Sequence, residues 1–263
     1  MEEFFSTTSA VNLKRAEIIC YILTIIFFTG SVLFALVPLV TKKQMTPLDT
    51  VYFTLPRDKQ WGRSFIYALN MMQIINAGSS LFLDMLTIWI MWHVACKFNL
   101  LAMEFMIFEE KKLKFWIKRH QDVLSYVNEI NSIIAPLAVK STFAVGIDII
   151  VSGLVATHNL NLVESTKFFT VTIFSLLRFV ACSWVADTIT EKARNIAEKI
   201  YDSPWIYTSP RMRKMALLIM QRSQKSVAIH AGGILSAWTL EFCGLVLYTI
   251  VTYLMTLRAV IRV

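Results

Sequence analysis

Five apolar runs dominate this chain of 263 residues, and each is long enough to form a helix that crosses a membrane. The runs cover residues 18–40, 66–95, 133–157, 168–187 and 232–257. About 20 helical residues cross the ~30 Å hydrocarbon core of a bilayer. Backbone groups in lipid must form hydrogen bonds within their own segment, which makes these runs helices. The sequence therefore predicts an all-α membrane protein, a bundle of five transmembrane helices in the lipid bilayer.

Basic residues indicate how the bundle is oriented. With a cytosolic N-terminus, 16 of the 26 Lys and Arg residues lie in the cytosolic segments 1–17, 96–132 and 188–231, and eight lie outside. Cytosolic loops carry the excess of Lys and Arg in most membrane proteins. We therefore expect a multi-pass membrane protein with a cytosolic N-terminus and an extracellular C-terminus. Long helices project into the cytosol, one of them continuing from Lys97 to Arg119.

Enzyme and metal signatures are missing from the sequence. The four histidines lack metal-ligand spacing, and the four cysteines form no C-x-x-C pair. The net charge of +8 comes from residues that flank the apolar runs, so it does not indicate a nucleic-acid-binding domain. We predict no catalytic activity, no cofactor, no metal and no nucleic-acid partner. The histidines are His93, His120, His158 and His230.

Three short motifs follow one another near the C-terminus. They are Tyr201-x-Ser203-x-Trp205, then Arg222-Ser223-Gln224-Lys225 with Ala231-Gly232 six residues on, and last Thr252-Tyr253-x-x-x-Leu257. In this order they resemble the C-terminal hallmark of insect odorant receptors. The resemblance implies a plasma-membrane location and a subunit of an odorant-gated, non-selective cation channel. Such a channel forms a heterotetramer with a shared co-receptor and detects volatile organic ligands. The resemblance also implies seven helices in the complete receptor, of which the first two would be missing here.

Two alternatives stay open at this point. Gustatory receptors, a related family of chemoreceptor channels, also carry Thr-Tyr in the last helix, but Arg258-Ala259 stands here where they have Gln-Phe. A second alternative is a non-functional, truncated receptor product. A receptor that acts through G proteins would have an extracellular N-terminus, which the charge distribution disfavours.

No linker or repeat divides the chain, so we predict a single odorant-receptor-like transmembrane domain over 1–263. Within it, 188–231 is predicted to be a cytosolic assembly and anchor segment, and 232–257 the terminal pore-lining helix. The predicted assembly residues are those of the first two motifs: Tyr201, Trp205, Arg222, Ser223, Gln224 and Lys225.

Small and hydroxylated side chains form one stripe of the last helix. Because they recur at i, i+3, i+7 and i+10, they share a face, and the resemblance implies that this helix lines a central pore. Threonine in membrane helices also bonds back to its own backbone or packs between helices, so the spacing alone leaves both roles open. The predicted pore-lining residues are Thr249, Thr252, Thr256 and Ala259.

The resemblance places the ligand in the outer half of the bundle. A pocket for a small volatile compound is mainly aromatic and aliphatic. Candidates at that depth, for which ordinary helix packing is an equally good explanation, are Phe27, Phe28, Ser31, Phe34, Met71, Met72, Asn76, Phe168, Phe169 and Thr172.

Ionisable residues inside or near the spans are a further set of candidates, because charges are costly in lipid. For Asp84 and Arg178, a structural role in the bundle interior or in an interhelical pair is favoured over ion selection. The full set is Asp84, Lys140, Asp148, Arg178, Asp187 and Glu241.

Overall fold

A computed structural model describes five α-helices, one short 3₁₀ helix and two short antiparallel β-strands, one of two residues and one of three. The described residues are Ile18, Ile22, Ile25, Thr29, 60–106, 112–157, 162–225, 227–231 and 235–261. In chain order the elements are α1 (Gln60–Met106), α2 (Leu113–Thr157), α3 (Leu162–Tyr201), the 3₁₀ helix (Trp205–Tyr207), α4 (Pro210–Gln224), β1 (His230–Ala231), β2 (Leu235–Ala237) and α5 (Leu240–Ile261).

Four of these helices are long and apolar enough to cross a membrane: Gln60–Met106, Lys114–Leu154, Thr172–Tyr201 and Leu240–Leu257. They correspond to four of the five predicted spans. Of the first predicted span, only Ile18, Ile22, Ile25 and Thr29 are described, and all four are helical. At 1.5 Å per residue, α1 and α2 are each about 70 Å long, roughly twice the hydrocarbon thickness. Both helices therefore extend well beyond a bilayer.

The chain forms two compact units, Val11–Trp89 and one that contains Ile90–Val263. The first half of α1 belongs to the former unit, where Asn70 and Asp84 are buried polar residues. In the larger unit, α2 packs against α3 and α5, and α3 packs against α4 and α5. The second half of α1 joins them through aromatic pairs, with ring centroids 6.1 Å apart for Trp92 and Trp184.

The connection between α1 and α2 differs from the prediction of one helix from Lys97 to Arg119. The described parts lie in α1, which includes Lys97–Met106, and in α2, which starts at Leu113. Arg119 forms an ion pair with Glu104, whereas 15 residues of one straight helix would separate them by about 22 Å. From Leu113, α2 continues without a break into the predicted span. Val123, Val127, Ile130 and Ile134, which keep a helical period, are all buried. This apolar stripe needs one continuous helix to stay on one face, which explains why α2 includes both parts.

The start of α4 has local signals that are typical of a helix N-terminus. Ser209 caps the helix by accepting a hydrogen bond from the backbone N–H of Met212 at 3.4 Å, and Pro210 occupies the first turn. Proline suits that position because the first N–H groups of a helix have no partner within it. Upstream, α3 ends at Tyr201, just before Ser203-Pro204.

The terminal helix starts at Leu240, eight residues later than predicted. His230 pairs with Ala237 and Ala231 with Leu235, so 230–231 and 235–237 form two antiparallel strands, and 235–237 is a strand where a helix from 232 was expected. The strand pair is held from both sides: the N–H of Trp238 donates to the carbonyl of Ile229 at 2.7 Å, and the N–H of His230 donates to Asn131 Oδ1 at 2.8 Å. These bonds satisfy backbone groups that a helix would have paired internally.

A tightly packed region surrounds α4. We call it the basal block and define it as α4 together with 113–132 of α2 and 188–201 of α3. Its core residues are almost completely buried: Ile189, Ala193, Ile196, Ile200, Met212 and Ala216.

Candidate functional site

The terminal helix α5 presents one face to α2. A Cβ at Gly146 would lie 3.6 Å from Ile250 Cδ1, and a Cβ at Gly153 would lie only 2.5 Å from Leu254 Cδ1. Gly146 and Gly153 are seven residues apart and therefore on the same side of α2. Their missing side chains leave a shallow seat for α5, because any larger residue at Gly153 would collide with Leu254.

The predicted pore stripe lies on the opposite side of α5 from this seat. Thr249, Thr252, Thr256 and Ala259 are all exposed. Each threonine hydroxyl donates to a carbonyl of its own helix at 2.8 Å, to Leu245, Tyr248 and Tyr253 respectively. The hydroxyl hydrogens are therefore satisfied within the helix, while the oxygen lone pairs remain available on the exposed face. Such a stripe suits either water or a neighbouring helix.

The predicted ligand residues are distributed over both compact units. Phe27, Phe28, Ser31 and Phe34 lie outside the described residues. In the smaller unit, Met71 is half-buried, whereas Met72 and Asn76 are exposed. In the larger unit, Phe168 lies on α3, Phe169 is exposed and Thr172 is buried. Their role in binding stays a prediction.

Sequence reasoning named Asp148 as an ionisable residue of a span but not as part of a site. It lies on α2, where its carboxyl group accepts a hydrogen bond from the Ser175 hydroxyl of α3. Thr172, one turn earlier on α3, donates to the backbone carbonyl of Asp148 at 3.4 Å. The 27-residue separation of Asp148 and Ser175 explains why no local motif reveals this pair. The other ionisable residues of interest are placed less specifically: Asp84 is buried and Arg178 is half-buried.

The predicted assembly residues occupy the basal block and the turn that precedes α4. Tyr201, Arg222, Gln224 and Lys225 are exposed, whereas Trp205 is half-buried. Ser223 differs from them because it is buried.

Ser223 and His120 bring two distant parts of the sequence together. The Ser223 hydroxyl lies 3.4 Å from His120 Nε2, and both residues are buried. The apolar run of α2 starts at residue 133, and His120 lies about 20 Å before it along the helix axis. Burial, and secondarily the nearby Arg222 guanidinium, lowers the pKa of His120 to about 4. A neutral imidazole therefore bonds to Ser223 at neutral pH, which joins α2 to α4.

One cavity with a volume of about 380 Å³ lies beside the basal block, between α1 and α2. Its lining includes Lys97, Arg119 and Asp122 together with Tyr126. Lys97 Nζ lies 3.8 Å from the centroid of the Tyr126 ring, and Arg119 forms a 2.5 Å ion pair with Glu104. This charged lining differs from the apolar lining expected for a volatile ligand. No group of three potential metal ligands occurs among the residues that the structure describes.

Comparisons with known proteins agree with this architecture. The 7tm Odorant receptor family matches residues 3–243 of the chain. The chain is 24% identical over 149 residues to Odorant receptor Or2 of Anopheles gambiae, a match that covers 57% of this chain and 39% of that protein. It is 26% identical over 148 residues to Odorant receptor 10 of Aedes albopictus, covering 55% and 38% respectively. The matches thus span about two fifths of the length of these relatives.

The fold resembles solved receptor structures over nearly the whole chain. The olfactory receptor OR5 from Machilis hrabei in complex with eugenol superposes with a TM-score of 0.75 at 18% identity, over 98% of this chain and 70% of that one. The structure of the same receptor described without eugenol gives the same TM-score over 97% and 69%. At this identity the likeness shows the fold. Because the family match covers most of the sequence, this chain belongs to the insect odorant receptor family, a family of multi-pass membrane receptors and not of enzymes.

Proposed function

We propose that the chain is a subunit of an odorant-gated, non-selective cation channel that assembles with a shared co-receptor in the plasma membrane. The observation that carries this proposal is the division of α5 into two faces. Ile250 and Leu254 are seated on α2, while the threonine stripe is exposed on the far side. A stripe of hydroxyl and methyl groups can line a water-filled path once other subunits supply the remaining walls.

The proposed orientation follows the charge bias, with the basal block in the cytosol and the C-terminal end of α5 outside. This orientation agrees with the polar character of the basal block, whose exposed surface carries Arg211, Arg213 and Lys214. The ligand would then enter from the outer half of the bundle, near Phe169 and Thr172. The neighbouring receptor from Machilis hrabei was solved with eugenol, and we extend to this chain only the expectation of a small organic ligand.

Assembly with the co-receptor is proposed to use the exposed apolar side chains of the basal block and the turn beside it. Tyr207 is 91% exposed, and Leu217 and Leu218 are each at least half exposed. Exposed apolar clusters outside the membrane generally mark interfaces between proteins. Tyrosine is also among the residues most enriched at interface hot spots.

The experiment that tests this function measures current from the full-length receptor in oocytes, with and without the co-receptor. A panel of volatile alcohols, phenols and esters that includes eugenol is applied to each. We expect cation current only when both proteins are present, with a reversal potential near zero in mixed Na⁺ and K⁺. A G-protein-dependent response with no receptor-specific conductance would contradict the proposal. Expressing the 263-residue chain with the co-receptor and measuring its current tests the alternative of a non-functional product.

A further inference from the structure

Asp148 stands at a junction of three helices. Its carboxyl group accepts from Ser175, and its main-chain carbonyl accepts from Thr172, so two successive turns of α3 are bonded to one residue of α2. Both α3 residues are more than nine-tenths buried. These two bonds fix the height of α3 against α2, because a slide of one turn would break both.

The same two turns of α2 hold the terminal helix on their other side. Gly146 lies two residues before Asp148 and faces Ile250, which a Cβ at this position would meet. Gly153 lies five residues after Asp148 and faces Leu254 in the same way. On a helical projection, Gly146 and Gly153 are rotated well away from Asp148, towards α5. The segment 146–153 therefore touches α3 with one edge and α5 with the other.

A carboxyl group in this position has a cost that packing alone does not require. Ionisable side chains in membrane spans are expensive, and apolar residues would fill the same space. Asp148 forms no ion pair with the residues that the structure describes, and its carboxyl group bonds instead to the Ser175 hydroxyl. Polar groups retained at such a cost frequently specify one arrangement of helices over another.

We propose that Asp148 is a positioning residue that transmits movement of the outer part of α3 to the terminal helix. The inference rests on the proposed channel function, in which Thr172 belongs to the ligand end and Thr256 to the pore. Ligand contact with the Thr172 turn shifts α3, the bonds to Asp148 carry the shift to segment 146–153 of α2, and the glycine seat carries it to Leu254. Side-chain hydrogen bonds between membrane helices bias such an equilibrium by roughly 3- to 20-fold.

The test follows the position of the pore helix without requiring an identified ligand. Thr256→Cys is introduced into the full-length receptor expressed with its co-receptor, and the rate at which a small methanethiosulfonate reagent changes the basal current is measured. Asp148→Leu removes the hydrogen-bond acceptor while keeping a side chain of similar length, whereas Asp148→Asn keeps an acceptor. We expect Asp148→Leu to change the rate at Thr256→Cys by at least about threefold and Asp148→Asn to restore it.

Ser175→Ala removes the same bond from the α3 side, and Thr172→Val removes the second bond, to the main-chain carbonyl, which Asp148→Leu leaves in place. Both variants provide the test if Asp148→Leu does not reach the cell surface. Thr142→Val is the matched control, because the Thr142 hydroxyl on α2 donates at 2.8 Å to Ala138 of its own helix. We expect the α3 variants to change the rate in the same direction as Asp148→Leu and the control to leave it unaltered.

Two failures are distinguishable. If Thr256→Cys does not react in the otherwise unaltered receptor, the proposed pore is wrong. If Thr256→Cys reacts, and neither Asp148→Leu nor Ser175→Ala changes its rate, the channel stands and the coupling role of Asp148 is refuted.

Discussion

The basal block and the terminal helix are stabilised in different ways. In the basal block, Ile196, Ile200, Met212 and Ala216 have no measurable exposure. In the apolar stretch of α5 only 11% is buried by the chain itself, whereas 39% of the apolar stretch of α3 is buried. The basal block therefore contains its own core, whereas α5 depends on lipid or on other subunits to cover it.

Polar groups show the same difference. The Ser223 hydroxyl bonds across a helix interface to His120, but the hydroxyls of Thr249, Thr252 and Thr256 bond within α5. A polar bond between helices fixes their register, while a bond within one helix leaves the helix free to face different surroundings. The comparison predicts that mutations in the basal block reduce folding and those on the α5 stripe change conduction.

The largest effect is expected from a charge in the core of the basal block. Ala216→Asp should remove the receptor from the cell surface, because an unpaired carboxylate buried beside α3 costs at least several kcal/mol. Lys214→Asp, two residues earlier on the exposed side of α4, is the control. Surface labelling of both variants makes the measurement. Normal surface levels of Ala216→Asp would mean that this core is not needed for folding.

A smaller effect is expected where α5 is seated on α2. Alanine favours a helix over glycine by about 1 kcal/mol, but a Cβ at Gly153 meets Leu254 at 2.5 Å. Overpacking costs about 1–3 kcal/mol, so Gly153→Ala should lower the melting temperature in nanodiscs. Nothing lies within 4 Å of a Cβ at Gly244, so Gly244→Ala should raise the melting temperature or leave it unchanged. An equal rise for both variants would contradict the close seat.

The His120–Ser223 contact should make the basal block sensitive to acid. Folding lowers the pKa of His120 to about 4 from its usual value near 6.5, so between these values the unfolded chain binds more protons than the folded one. Stability therefore rises with pH in this window and falls as the pH drops from 7 to 5. The expected loss is on the order of 1 kcal/mol. Thermal melts at the two pH values should differ less in His120→Gln, and an unchanged difference would exclude His120 as the source.

The smallest effect on the chain itself is expected from Tyr207, the most exposed aromatic residue in the part of the chain that the structure describes. Tyr207 is 91% exposed, so Tyr207→Ala should change stability by less than about 0.5 kcal/mol. If Tyr207 belongs to the interface with the co-receptor, the same variant should reduce the amount of co-receptor recovered with the receptor. Ser209→Gly, which affects the neighbouring cap without removing an aromatic side chain, serves as a comparison. Full recovery of the co-receptor with Tyr207→Ala would place the interface elsewhere.

Local signals in the sequence predicted much of the fold. Four of the five apolar runs depend only on residues close together in the chain, and the structure shows each of them as a long helix. The cap at Ser209 and the buried stripe of Val123, Val127 and Ile130 are local patterns of the same kind. The strand pair before α5 was missed because two- and three-residue strands leave almost no periodic pattern. Its bonds to Asn131 and Ile229 are tertiary and have no counterpart in local propensity.

The candidate site was harder to predict than the fold. A family motif drew attention to Ser223, and the expected depth of the ligand pocket drew attention to Thr172. Their partners, however, lie 103 and 24 residues away in the sequence. The spacing of Gly146 and Gly153 gave no sign of a seat for α5, because small residues are common throughout membrane helices. Whether the threonine stripe faces water or another subunit is decided by neighbouring chains, which this sequence does not contain.

A cysteine scan of α5 tests whether the exposed stripe of this helix lines the ion path. Each residue is replaced in turn in the full-length receptor with its co-receptor, and a charged methanethiosulfonate reagent is applied from outside. We predict that Thr249→Cys, Thr252→Cys, Thr256→Cys and Ala259→Cys change the current on modification, whereas Ile250→Cys and Leu254→Cys, on the face seated against α2, do not. Modification effects at Ile250 and Leu254 with none on the stripe would contradict the account.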